Sequence, residues 1–208
     1  MYKLPYFTEA DKDVVLQFMK QNPFVTLITN NNGESYATQI PVLIDEQENG
    51  ISLRGHIMRK TDHCNALEAN PNALILFTGA HCYVSSSWYA ERNIGSTWNY
   101  MTIHVKGKVN ILDAAGAKQI LTDLTNQYEH GQEDPELVAH MPPNYIDQMV
   151  KAIIGYEIII EDIYPIYKLS QNRSDVSYKN IVQQLLRAGD ADSKAIATEM
   201  IQRRKVLF

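Results

Sequence analysis

The chain has 208 residues, 45% of them hydrophobic, which supplies enough apolar surface for one elaborated domain with a real core. A formal net charge of −5 gives no electrostatic reason to expect tight, unaided binding to a polyanion such as DNA. The two cysteines, Cys64 and Cys82, lack the spacing of a disulfide framework or a zinc ribbon, and Met1 to Tyr6 carry no apolar core of a secretory signal, so a cytoplasmic protein with reduced thiols is expected.

Thr8, three residues before Asp11, opens a short predicted helix with Val14, Val15, Phe18 and Met19 on one face, and Asn22-Pro23 stops it. The period then changes to that of strands. Phe24 to Thr29, Tyr36 to Ile44 and Ile51 to His56 read as three consecutive antiparallel strands, turning at Asn30-Asn31-Asn32-Gly33 and again before Gly50. Pro41 has no N–H for a ladder, so the second strand is expected to be bulged or at an edge there. A brief helix over Asp62 to Ala69 ends at Asn70-Pro71. It leads into strands over Ala73 to Thr78 and His81 to Val84, then a long stretch from Thr97 to Ile111 broken near Gly107.

Helical spacing takes over from Asp113 through Ile120, Leu121, Leu124 and Tyr128, a further helix follows Pro142-Pro143, and Ile153 to Ile163 reads as a strand. Two helices close the chain. The first runs from Ser177 to Ala188 and stops at Gly189; the second is capped by Asp192 or Ser193 and ends in Arg203-Arg204-Lys205. This order fits an interrupted antiparallel barrel, mainly β with peripheral helices. A single domain over 1–208 is expected, with the helices from about 175 to 208 packed on it.

The densest polar run is Leu53-Arg54-Gly55-His56 followed by Arg59-Lys60-Thr61-Asp62-His63. In a strand, Arg54 and His56 share a face, and Arg59 to Asp62 stand where the next helix begins. Cationic side chains and free backbone N–H groups there suit a dianionic phosphate. The same residues also read as a solvated basic turn, with His56 satisfied by a local hydrogen bond.

His81 to Tyr89 and Thr97-Trp98-Asn99-Tyr100 mix hydroxyls, aromatics and amides, which suits a planar heterocycle with polar edges. Equally, Trp88, Trp98 and Tyr100 read as core or dimer-interface aromatics. Lys168-Leu169-Ser170-Gln171-Asn172-Arg173 either ends a strand at the same mouth or forms an exposed turn. No motif such as HExxH unites the six histidines, and Cys82 points away from His81 in a strand, so neither a metal site nor a Cys–His nucleophile is expected.

Taken in order, Asn22-Pro23-Phe24, Ala37-Thr38-Gln39-Ile40-Pro41, Leu53-Arg54-Gly55-His56, Ser85-Ser86-Ser87-Trp88-Tyr89, Thr97-Trp98-Asn99-Tyr100 and Lys168 to Arg173 resemble the PaiB-type FMN-binding negative transcriptional regulators, along almost the whole chain. More distantly, Arg54 through Arg59-Lys60 to Asn70-Pro71, with Val105-Lys106-Gly107, is similar to the pyridoxamine-phosphate-oxidase-like flavoproteins. The resemblance implies an FMN-binding split β-barrel that works as a homodimer with FMN at the subunit interface. It implicates Arg54, His56, Arg59 and Lys60 in holding the phosphate, and Trp98, Asn99 and Tyr100 in surrounding the flavin.

Gln39, Ser86, Gly95-Ser96 and Tyr167 depart from the His, Pro, Val-Pro and Trp usual in the family, which touches the substrate side more than the phosphate grip. A flavin-linked regulatory protein is the function implied. The alternative is an FMN-dependent oxidoreductase or flavin reductase fed by a nicotinamide donor, with His81, Tyr83 and His104 as unassigned proton handlers. Direct DNA binding through Arg187, Lys194, Arg203, Arg204 and Lys205 of the terminal helices is disfavoured by the acidic whole.

Overall fold

Asp11 rather than Thr8 starts the first helix, α1 (Lys12–Gln21): its carboxylate accepts from the N–H groups of Asp13 (2.9 Å) and Val14 (3.4 Å), while the Thr8 hydroxyl donates back to Leu4 O. Val15, Phe18 and Met19 are buried, as their spacing predicts, and Val14 is partly exposed. The computed structural model describes residues 4–48 and 50–208, so Met1 to Lys3 of the opening stretch lie outside the described residues. The chain divides into two units. One, here the terminal unit, contains residues up to Phe18, Thr78–Ile103 and Tyr164–Phe208; the other, the strand unit, contains Met19–Phe77 and His104–Ile163.

The strands are β1 (Phe24–Asn31), β2 (Glu34–Pro41), β3 (Leu43–Gln47), β4 (Gly50–Met58), β5 (Asn72–Val84), β6 (Thr97–Ile111) and β7 (Ile153–Lys168). They form one seven-stranded sheet in the order β2-β1-β5-β6-β7-β4-β3. In the strand unit β1 pairs antiparallel with β2 and with β5, β3 with β4, and β4 with β7. The expected strand Tyr36 to Ile44 is divided at Val42, whose N–H donates to Pro23 O at 2.9 Å. Pro41, the last residue of β2, therefore sits on an edge strand, where its missing donor costs no ladder bond.

Two expected interruptions are absent. β5 passes unbroken through Gly79, where a Cβ would lie 2.7 Å from the Phe18 ring, and β6 passes unbroken through Gly107, where a Cβ would lie 2.4 Å from Ile159 O. In both cases glycine marks a close approach of another element instead of a strand end. β7 also continues five residues past the expected Ile163, to Lys168.

The helices of the strand unit are α2 (Asp62–Ala69), α3 (Ala114–Glu129) and α4 (Pro143–Ala152). Asp113 caps α3 by accepting from Gly116 N–H at 2.8 Å, and Ile120 and Leu124 bury their side chains with Leu43 of β3. In the terminal unit α5 (Asp175–Ala188) and α6 (Ala191–Arg203) pack together through Tyr178, Ile181, Leu185, Ile196 and Met200, and the Tyr178 hydroxyl donates to Met200 O at 3.0 Å. The cap of α6 is Asp190, which accepts from Ser193 N–H at 2.9 Å, instead of Asp192 or Ser193. With six α-helices beside seven strands among the described residues, helical content is comparable with strand content, which corrects the expectation of a mainly β chain.

Candidate functional site

Arg54 and His56 share a face of β4, as the alternation predicts, but only one has a free polar group. The Arg54 guanidinium is held by two carboxylates. Its Nε and one terminal nitrogen donate to Asp45 of β3 at 2.6 and 2.9 Å, and the other terminal nitrogen donates to Asp123 of α3 at 2.6 Å. The hydrogen bond to Asp45 comes first among the causes that hold this guanidinium well above its ordinary value. His56, by contrast, buries Nδ1 with no hydrogen-bond partner.

The turn after β4 carries Arg59, Lys60 and Thr61. Arg59 is fixed by its backbone N–H to Ala152 O and by its guanidinium to Ile153 O, both at 2.8 Å, yet it remains exposed. Lys60 is also exposed and has φ of 64°, a left-handed backbone that a non-glycine residue adopts at some cost. Thr61 caps α2 by accepting from Cys64 N–H at 3.1 Å. In the first turn of α2, His63 Nδ1 lies 2.7 Å from the Thr38 hydroxyl of β2 while its Nε2 is buried without a partner. The Tyr36 ring stacks on His63 at 6.4 Å. Thus β4 and α2 of the strand unit supply two histidines with orphaned ring nitrogens, and the turn supplies two exposed cations.

Burial holds His56, His63 and His104 below the ordinary histidine value of 6.5. The folded state refuses protons that the unfolded state accepts below that value. Their contribution to stability is therefore present above it and lost as the pH falls through the depressed folded values. The melting temperature should drop between about pH 7 and about pH 5. A His56→Gln, His63→Gln protein followed by differential scanning fluorimetry should show a flatter profile; an unchanged slope would assign the acid sensitivity to other groups.

In the terminal unit, Trp98, Asn99 and Tyr100 are separated by strand alternation. Trp98 is 53% exposed and lies edge-on to Tyr83 at 6.0 Å, with the His81 ring 6.1 Å away, so these three form an aromatic platform. Asn99 faces the other way and is fully buried, accepting from the Ser170 hydroxyl at 2.9 Å and placing its amide 3.6 Å from Met200 Sδ. Tyr100 is half-buried, with Lys168 Nζ 6.0 Å from its ring centroid.

Of the two readings of the Lys168 to Arg173 run, the strand end holds, since β7 stops at Lys168. Lys168 Nζ donates to Thr97 Oγ1 at 2.5 Å, and both residues line a cavity of about 230 Å³ with Asn99, Ser170 and Arg173. The polar run itself was the signal, since a solvated turn does not need so many donors beside one buried Asn.

Cys64 and Cys82 are free and buried, and burial, then Asp190 and Asp192, push the Cys82 thiol up to about 12, so it is no nucleophile at neutral pH. Among the described residues no cluster of three or more His, Cys, Asp or Glu has the arrangement of a metal site, and no helix is long and apolar enough to cross a membrane. Two of the cations considered for DNA are tied into the terminal unit. Arg203 pairs with Glu9 and Glu199 and lies over the Tyr167 ring, and Arg204 pairs with Asp175 and lies over the Tyr178 ring.

The chain matches the family described as "Putative FMN-binding domain" over residues 1–162. It is 32% identical over 205 residues to Protease synthase and sporulation protein PAI 2 of Bacillus subtilis (strain 168), covering 99% of each chain. Among solved structures it is similar to the flavocytochrome Anf3 from Azotobacter vinelandii, with a TM-score of 0.62 at 12% identity over 80% of this chain and 72% of that one. It is also similar to the FAD and heme binding protein from Mycobacterium smegmatis, with a TM-score of 0.57 at 13% identity over 77% and 73%. These likenesses give the fold, a split-barrel-like arrangement shared with flavoproteins. With one relative aligned along its full length and the family matched over residues 1–162, the chain belongs to the PaiB-type FMN-binding family.

Proposed function

We propose that this protein binds FMN and works as a homodimeric, flavin-linked regulatory protein. The observation that carries the cofactor assignment is the turn between β4 and α2. Exposed Arg59 and Lys60, the latter in strained backbone, are flanked in the chain by His56 and His63, each with a buried ring nitrogen lacking a partner. Orphaned ring nitrogens and exposed cations near the start of a helix fit a phosphate dianion. Arg54 takes a different part in this reading: committed to Asp45 and Asp123, it braces β4 against β3 and α3 instead of touching phosphate.

Trp98 and Tyr100 are the aromatic groups assigned to the flavin ring, contributed from a second copy of the chain, and Asn99 supports their strand from its buried side. Bound FMN supplies reversible two-electron or one-electron chemistry through its ring system. In the regulatory reading the protein residues hold that ring at a dimer interface, so a change in the flavin alters how the two copies present themselves to a partner.

Titration of the purified protein with FMN tests the first step, read by flavin absorbance and fluorescence. Arg59→Ala combined with Lys60→Ala should weaken binding at least tenfold, roughly 1.4 kcal/mol, while the apoprotein still unfolds cooperatively, its melting temperature lowered only by the lost bond from Arg59 to Ile153 O. Unchanged affinity would remove this turn from the phosphate role. Addition of NADPH without oxygen then separates the two functional classes. Bound flavin that stays oxidised supports the regulator, and rapid bleaching favours an oxidoreductase.

A further inference from the structure

The cavity at the end of β7 lies wholly within the terminal unit and shares no residue with the Arg59-Lys60-Thr61 turn. Lys168 to Arg173 lie beyond the 1–162 span of the family match but within the 99% of the chain that aligns with the Bacillus subtilis relative. The loop is built rigidly. Leu169 N–H donates to Gln171 Oε1 at 2.7 Å, the Gln171 side-chain amide donates to Tyr167 O, Arg173 N–H donates to Ser170 O at 3.0 Å, and Arg204 donates to Gln171 O at 2.6 Å. Ser170 is nevertheless held at φ of 60° with its side chain buried against Asn99.

The charge of the lining decides what the site takes. Among the described residues Lys168 and Arg173 are its two cations, and no Asp or Glu lines it. The Arg173 guanidinium lies 4.4 Å from the Tyr89 ring centroid, which orients it. The nearby carboxylate of Glu91, which accepts from the Ser177 hydroxyl, keeps its charge and offsets part of that of Arg173, but it does not line the cavity. Burial and then Arg173 hold the Lys168 ammonium below its ordinary value, as expected of two cations that share one recess. Thr97 and Asn172 add polar groups, while Leu4, Tyr6 and Phe7 give an apolar wall. At about 230 Å³ the cavity is smaller than the roughly 300–1,000 Å³ of sites that enclose drug-sized ligands.

We propose that this cavity is a second ligand site that binds a small oxyanion, the phosphate or carboxylate of a molecule with few further atoms, between Lys168 and Arg173. The inference shares Asn99 with the flavin assignment but rests on Lys168 and Arg173, which that assignment does not use, and its test runs with and without FMN. The anionic head meets the two cations, and a short carbon body lies on the Leu4 to Phe7 wall. Such a ligand is the class of effector that a regulatory protein reads, or of substrate that a flavin site needs nearby.

Inorganic phosphate and acetate, each titrated calorimetrically into the full-length protein, test it. Saturable binding of one anion per FMN-loaded chain, where the Arg59-Lys60 turn is occupied, is expected, at least tenfold weaker in Lys168→Met and in Arg173→Gln. Tighter binding of phosphate would identify a phosphate monoester as the ligand class, and tighter binding of acetate a carboxylate. No saturable binding of either anion, or equal binding in both variants, would overturn the proposal. Loss of the Lys168-dependent anion binding as FMN saturates the protein would also overturn it, by making the cavity part of the flavin site. A measurement on the unmodified chain covers the case in which the variants misfold. The bound anion should slow acetylation of Lys168 at least fivefold by mass spectrometry, and equal labelling with and without anion refutes the assignment.

Discussion

Arg54→Ala should lower the free energy of unfolding by about 3 kcal/mol, read from urea denaturation. The side chain is only 24% exposed, and its partners Asp45 and Asp123 are 31% and 28% exposed. Removing the guanidinium leaves two carboxylates facing each other in a recess where water screens them poorly. The loss therefore includes their repulsion and desolvation, beyond the hydrogen bonds themselves. Adding Asp45→Asn to Arg54→Ala should restore part of the stability, because one of the two stranded charges disappears. Arg54→Lys should recover little, since an ammonium cannot donate to Asp45 through two nitrogens while reaching Asp123. A loss below about 1 kcal/mol would mean that the network behaves as an exposed ion pair.

Gly107→Ala should cost as much, about 3 kcal/mol, at the upper end of what overpacking produces. The added methyl would lie 2.4 Å from Ile159 O and 2.8 Å from Ile158 Cγ2, and the first of these is backbone in the neighbouring strand, which no rotamer change can move aside. β6 and β7 would have to separate. Gly131→Ala is the control, because a Cβ there meets nothing within 4 Å, and its midpoint should stay within experimental scatter of the parent. If both variants unfold at the parent's denaturant concentration, the close approach at Gly107 is not a packing constraint.

The strand and helix order was legible because alternation and helical spacing are local properties: β1, β4 and α2 begin and end within a residue or two of where their apolar patterns do. Gly79 and Gly107 misled for a physical reason. A glycine that breaks a strand and one that admits a neighbouring strand or ring look identical in sequence, and only the neighbour distinguishes them. The Arg54 brace was half legible. Asp45 follows from the β3–β4 hairpin register, in which Leu43 faces Arg54 and Asp45 lies on the diagonal, but Asp123 comes from a helix whose docking the sequence does not specify. The oxyanion cavity draws on residues 4–7, 97–99 and 168–173, three segments that no spacing rule connects.

β2 and β3 are separated in the chain by Val42 alone, yet they occupy the two opposite ends of the hydrogen-bonded order. That arrangement has a consequence for how the protein is made. The β3–β4 hairpin forms from adjacent residues, but the other edge of β4 pairs with Ile153 to Ile159 of β7, about a hundred residues later. During synthesis at about 5–20 residues per second, that edge stays unpaired for about 5–20 s. Any β3–β4 hairpin that forms on the ribosome therefore keeps one edge of β4 without its native partner until β7 emerges.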